Sequence, residues 1–216
     1  SELEKYVGDL ANESGCTKIL IIGGGGNQAG NIASTMDVLK SDLLSKFDYK
    51  FVGVAGHPEG SPDISNQNLD LAINEKNNFA KNVDFQMYIA TQFFFEAKSL
   101  IDWEKHLVTL GNNLPIHAGI PGPASIKTLI NYARSCGIGN SLRFISKQAF
   151  NLTKLATLST PDKLIYDLAS YIQSNQSSNL ENIHFYAFGG IKKTSDWLSQ
   201  LDSSDLNYNN KNQFVL

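Results

Sequence analysis

Five short apolar runs, most of them closed by glycine or proline, constrain the fold of this chain. They are "KILIIGGGG" (18–26), "YKFVGVAGHPEG" (49–60), "FQMYIATQ" (85–92), "PIHAGIPGP" (115–123) and "IHFYAFGG" (183–190). Continuous apolar runs of this length suit strands buried on both faces. Helical patterns fill the gaps at 35–47, 66–82, 97–110, 125–136 and, in more than one piece, 146–174. The first four runs recur about every 30–35 residues, one βα unit each. One helix followed by five strand–helix units predicts an α/β protein with a parallel sheet. The polar stretch "QSNQSSNLEN" (173–182) reads as a surface loop, so 1–216 is expected to be a single domain.

Composition narrows the function. The chain is 42% hydrophobic, ample for one core, and its net charge of −3 offers no basic surplus for nucleic acid. Cys16 and Cys136 have no metal-site spacing and no disulfide framework, so they read as reduced thiols of a cytoplasmic protein. No apolar run approaches the roughly 20 residues that span a bilayer. The opening "SELEKYVGDL" is acidic and amphipathic, unlike a signal peptide.

Parallel α/β folds bind ligands at the carboxyl ends of their strands. The segments there are "GGGGNQAGN", "GHPEGSPD", "TQFFFE", "GIPGPAS" and "FGGIKKT", rich in glycine and uncharged polar groups. Glycines let a ligand approach the backbone. "GGGGNQAG" is neither a Walker loop nor a dinucleotide fingerprint. The histidines are scattered: His57 at a strand end, His117 inside a strand, His184 at the start of one and His106 in a helix, which argues against a catalytic metal. No G-x-S-x-G elbow exists. Gln92 stands out. A glutamine at a ligand-facing strand end costs about 1–3 kcal/mol if dry and unpaired. A heteroaromatic ligand would satisfy it, with neighbouring phenylalanines such as Phe94 as apolar walls; a bond to neighbouring backbone would satisfy it equally.

"HPEGSPD" followed by "TQFFFEA", then "HAGIPGP" and "IHFYAFGG", resembles the methylenetetrahydrofolate reductase family in motif order and spacing over essentially the whole chain. The variants "GIPGPASIKTL" and "CGIGNSLRF" look like a divergent bacterial branch. The resemblance implies a (β/α)8 TIM barrel, of which this chain holds about five βα units, the C-terminal five. The family's first three units, with its general acid, would precede Ser1. It implies interconversion of 5,10-methylenetetrahydrofolate and 5-methyltetrahydrofolate, FAD as hydride relay, NADH or NADPH as co-substrate, and a homo-oligomer. Residue by residue, it implies that Gln92 hydrogen-bonds the pterin and that His57 lies beside the flavin, with Ser61 nearby. Lys81 matches a basic residue near the flavin phosphates, and Asn77 a polar contact. Gly24 and Gly25 fall on the family's Arg-Gly-Asp loop, and Glu59 on an acid of its own loop. Glu59 could equally cap its turn, and Lys81 could equally be a solvated helix residue.

The chain also departs from the pattern. Gly23 and Gly25 stand where the family has arginine and aspartate, Gly190 where it has a basic residue, and Ala80 where it has a second flavin-contacting arginine. Glycine supplies neither the charge nor the hydrogen bonds of a carboxylate. A non-catalytic folate-binding or partner subunit is therefore the alternative. An unrelated barrel enzyme acting with a metal or on a phosphate is a third reading.

Overall fold

The computed structural model describes residues 1–23, 30–139, 143, 156–203, 207–209 and 214–215. Helix α1 (Glu2–Asn12) comes first, with a reciprocal capping box between Ser1 and Glu4. β1 (Lys18–Ile21), β2 (Phe51–Gly56), β3 (Gln86–Thr91) and β4 (Ile116–Pro121) follow in chain order. Between them lie α2 (Thr35–Leu39), α3 (Leu43–Lys46), α4 (Asn66–Ala80) and α5 (Ala97–Thr109). After β4 come β5 (Ala124–Ser125), α6 (Ile126–Ser135), β6 (Leu158–Ser159), α7 (Asp162–Ser174), β7 (Leu180–Tyr186) and α8 (Ile191–Ser203). A last small pair is β8 (Asn207–Tyr208) with β9 (Phe214–Val215).

β1, β2, β3, β4 and β7 form one all-parallel sheet in that order. The five expected strands are therefore its five strands. Three boundaries differ from expectation. The helix expected over 35–47 is two, because Asp42 adopts a left-handed φ of 56° between them. β7 begins at Leu180, inside the segment read as loop, so His184 sits in mid-strand. The two-residue β5–β6 pair has too few residues to leave a periodic signal.

Side chains alternate across the sheet. Val52, Val54, Met87, Ile89, Ile116, Ala118 and Ile120 point to the helical layer and form the main core with Leu100, Leu107, Leu164 and Leu168. The opposite face is polar and aromatic. There the Lys18 ammonium lies over the rings of Phe51 and Tyr88, Tyr88 stacks on His117 at 4.1 Å, and His117 Nε2 meets the Asn182 amide at 3.2 Å. Burial, with Lys18 and His184 nearby, pushes the His117 pKa down to about 4. The ring is thus neutral near pH 7, and Nε2 accepts from Asn182.

Candidate functional site at the carboxyl rim

The ends of β2, β3, β4 and β7 are tied together at one level. The Gln92 N–H donates to Gly56 O at 2.7 Å, extending the β2–β3 ladder one residue past the strands. The Thr91 hydroxyl accepts from the Gly119 N–H at 2.7 Å, and the Thr91 carbonyl accepts from the Tyr186 hydroxyl at 2.9 Å. A Cβ on Gly119 would stand 2.2 Å from Thr91 O, so glycine is what permits this approach. Burial pushes the Tyr186 pKa up to about 12, which keeps its hydroxyl a donor.

Gln92 is half-buried at the centre of this arrangement. Its Oε1 accepts from the Phe93 N–H at 3.2 Å, so the backbone-bonded alternative accounts for part of its capacity. Burial raises the pKa of the Cys136 thiol on α6, and the Gln92 carboxamide works against that rise. A carboxamide has two lone pairs and two N–H groups, so one lone pair and both N–H groups are without a hydrogen bond among the described residues.

Helix α6 does not return along the outside of the sheet as α4 and α5 do. Its inner face (Ile126, Leu129, Ile130 and Ala133) packs on Phe93, Phe95 and Phe188 at the strand ends, and a Cβ on Gly137 just beyond it would touch Pro62 of the β2 loop at 2.6 Å. This crossing builds an aromatic wall. Tyr132 stacks on Phe188 at 4.0 Å, Phe188 on Tyr186 at 5.5 Å, and Phe93 meets both Tyr186 and Phe188 edge-on.

A second concavity of about 460 Å³ opens between α4 and α5 beside the β2 loop. His57, Pro58, Glu59 and Gly60 form one side, Asn66, Leu69 and Asp70 another, and Trp103 and His106 the third. His106 Nε2 and Asp70 Oδ1 are 2.9 Å apart there. Beneath His57 is a buried cation. Helical side chains lean toward the helix N-terminus, so Lys76 of α4 reaches up to within 3.4 Å of Ala55 O. Burial lowers the pKa of Lys76; burial and then Lys76 lower that of His57. Among the described residues no carboxylate stands within ion-pair distance of Lys76. It escaped the sequence reading because only its helix phase marked it.

The expected site residues thus fall in four places. Gln92, His57, Glu59 and Ser61 lie at the carboxyl rim; the Ser61 hydroxyl accepts from the Asp63 N–H at 3.3 Å. Phe94 is a correction: it is fully buried in the main core and presents no surface to a ligand, because Phe93 and Phe95 take the rim-facing phase. Asn77 lies in the last turn of α4 and Lys81 is its C-cap, where the helix has run back toward the start of β3. The Asn77 amide donates to Ile73 O and Asn112 Oδ1 and accepts from the Asn113 N–H, a brace that spends both of its N–H groups and one lone pair. Lys81 is exposed and donates to Asn78 Oδ1. Gly24 and Gly25 lie outside the described residues. Among the described residues no three His, Cys, Asp or Glu side chains could hold a metal together.

Compared with known proteins, residues 2–196 match the family model for methylenetetrahydrofolate reductase. The chain belongs to this family. Its parallel sheet is therefore of the (β/α)8-barrel type, with five βα units in this chain. Methylenetetrahydrofolate reductase 2 of Saccharomyces cerevisiae is 28% identical over 170 residues, covering 74% of this chain and 26% of that protein. The chain thus spans about a quarter of that relative's length. In the methylenetetrahydrofolate reductase framework, the aromatic wall and Cys136 are rim features that sequence reasoning missed; "FYAFGG" was the one signal for the former.

Proposed function

We propose that this chain carries the folate-reading rim of an oxidoreductase that interconverts 5,10-methylenetetrahydrofolate and 5-methyltetrahydrofolate by hydride transfer. The observation that carries the reading is Gln92: a half-buried carboxamide beside an aromatic wall, with donor and acceptor capacity unspent among the described residues. A pterin edge alternates donors and acceptors and matches that capacity. Hydride transfer between flat rings depends chiefly on positioning, which a rim braced through Thr91, Gly119 and Tyr186 favours.

The residues present fit a flavin nucleotide. Lys76 is a buried ammonium without an acid partner and would hold a phosphate; neutral His57 and the concavity beside Trp103 would hold flat or ribose-bearing parts. A bound flavin would supply the two-electron carrier between NADH or NADPH and the folate. His57 and Trp103 would then exclude water from its edge. The free thiols fit a reducing compartment, so we place the protein in the cytoplasm, as one domain over 1–216 and as a homo-oligomer like others of its kind. No described helix is long and apolar enough to cross a membrane.

One observation favours a second reading, a folate-binding subunit without catalysis. Gly190, at the position of the family's basic residue, has a φ of 103° with open space around its missing Cβ. An absorbance spectrum of the purified protein with and without FAD, followed by titration with 5-methyltetrahydrofolate, tests both. A flavin band that bleaches with the folate is expected. Folate binding without flavin or nicotinamide turnover favours the subunit, and no folate binding overturns both.

A further inference from the structure

Three near-parallel rings run from the strand end beside Gln92 to the surface of α6. Tyr186 is the inner one: its hydroxyl donates to Thr91 O at 2.9 Å, one residue before Gln92. Phe188 stacks on it at 5.5 Å and 21°, and Tyr132 stacks on Phe188 at 4.0 Å and 17°. Phe93 meets Tyr186 and Phe188 edge-on at 5.7 and 4.7 Å and holds them from the side. Backbone contacts fix the turn that carries Phe188. The Gly122 N–H donates to Tyr186 O at 2.8 Å, and a Cβ on Gly189 would stand 2.0 Å from Pro123 O, so this turn is pressed onto the loop that leads into α6. Tyr132 ends the run. Phe188 covers one face of its ring, yet the residue is 42% exposed, so the other face is open.

We propose that Tyr132, backed by Phe188, is the platform on which the p-aminobenzoyl ring of a folate stacks, so that this wall makes the site prefer a folate to a free reduced pterin. This rests on the folate reading of Gln92. The occupant follows from continuity: the wall begins at the strand end that carries Gln92, and a folate is a pterin joined through a methylene and an amine nitrogen to a second aromatic ring. A pterin edge held by Gln92 leaves that second ring to be placed along the wall. The ring carries an electron-withdrawing carbonyl, and offset stacking on an electron-rich phenol suits it. A Tyr132 that only packed on Phe188 would not distinguish ligands with and without the second ring.

The test is calorimetry on the full chain with 5-methyltetrahydrofolate and, by competition, with 5,6-dimethyltetrahydropterin, the same bicyclic ring without the arene. Tyr132→Ala should weaken folate affinity about fivefold and leave pterin affinity within about twofold, while Tyr132→Phe, which keeps the ring, should hold both within about twofold. In turnover the alanine variant should raise KM for folate and leave kcat in place. Gln92→Ala should weaken both ligands. Unchanged folate affinity in Tyr132→Ala overturns the proposal, as does an equal loss for folate and pterin, which would mark a general disturbance of the rim. Equal affinity of the wild type for the two ligands overturns it as well. If Tyr132→Ala fails to fold, Tyr132→Leu, which keeps apolar bulk without a ring, decides by the same comparison. If folate binds and Gln92→Ala weakens it while the Tyr132 variants do not, the platform falls and the folate reading stands. If the wild type binds no folate, both fall.

Discussion

At the scale of single residues, the rim depends on groups whose hydrogen-bond capacity is partly spent. Gln92 is one. Gln92→Ala should weaken 5-methyltetrahydrofolate binding about tenfold or more, because it removes the donor and acceptor together; calorimetry on folded variant and wild type checks this. Lys76 is another, with function and stability opposed. An ammonium buried without an acid is costly, and Lys76→Met keeps the stem's length without the charge. That variant should raise the urea midpoint and weaken FAD binding, read by urea unfolding and by flavin fluorescence titration. A lower midpoint would show that the ammonium stabilises the fold through its contact with Ala55 O.

At the scale of elements, the bracing between helices and strands is polar and buried. Asn77 ties α4 to the turn before β4 through two hydrogen bonds, to Asn112 and from Asn113, while a third to Ile73 O stays within the helix. Asn77→Ala should cost about 2–3 kcal/mol of stability, since it strands the Asn113 N–H and the Asn112 amide, and should leave folate affinity unchanged. Urea unfolding and the binding isotherm together check it, and a folate defect without destabilisation would place Asn77 in the site. Gly119 ties β4 to β3. Gly119→Ala should cost about 1–3 kcal/mol, because the new methyl meets backbone and not a movable side chain. The same displacement should reach Gln92 through Thr91 and weaken folate binding. Glu104 braces α5 to the start of β7, accepting from the Ser178 hydroxyl and the Asn179 N–H, both at 2.6 Å.

At the scale of the whole molecule, three histidines on or near the sheet share one direction. Burial holds His57, His117 and His184 below the ordinary imidazole range, with His117 at about 4. Between about pH 6.5 and 4 the unfolded chain therefore takes up protons that the folded chain refuses. Stability should fall as pH drops through that window and be fully present above it. Glu4 and Asp37, held below the ordinary carboxylate range, enter at lower pH. Urea midpoints from pH 7.5 to 4.5 check this, and His117→Gln should flatten the acid limb.

The order of elements, the parallel sheet and the rim loops were legible along the chain, because strand and helix periods and glycine-closed ends are local properties. So was the singularity of Gln92, a polar group placed where only a partner makes it tolerable. The phase of Phe93–Phe95 was not legible, because alternation loses its reference once a strand ends, and packing against α6 resets it. Nor was the end of α4 at which Asn77 and Lys81 would lie relative to His57, since spacing in sequence does not report distance along a returning helix. Lys76 and Cys136 reach the rim through a leaning side chain and a helix laid across strand ends. Those are contacts between elements far apart in the chain, and no local pattern encodes them.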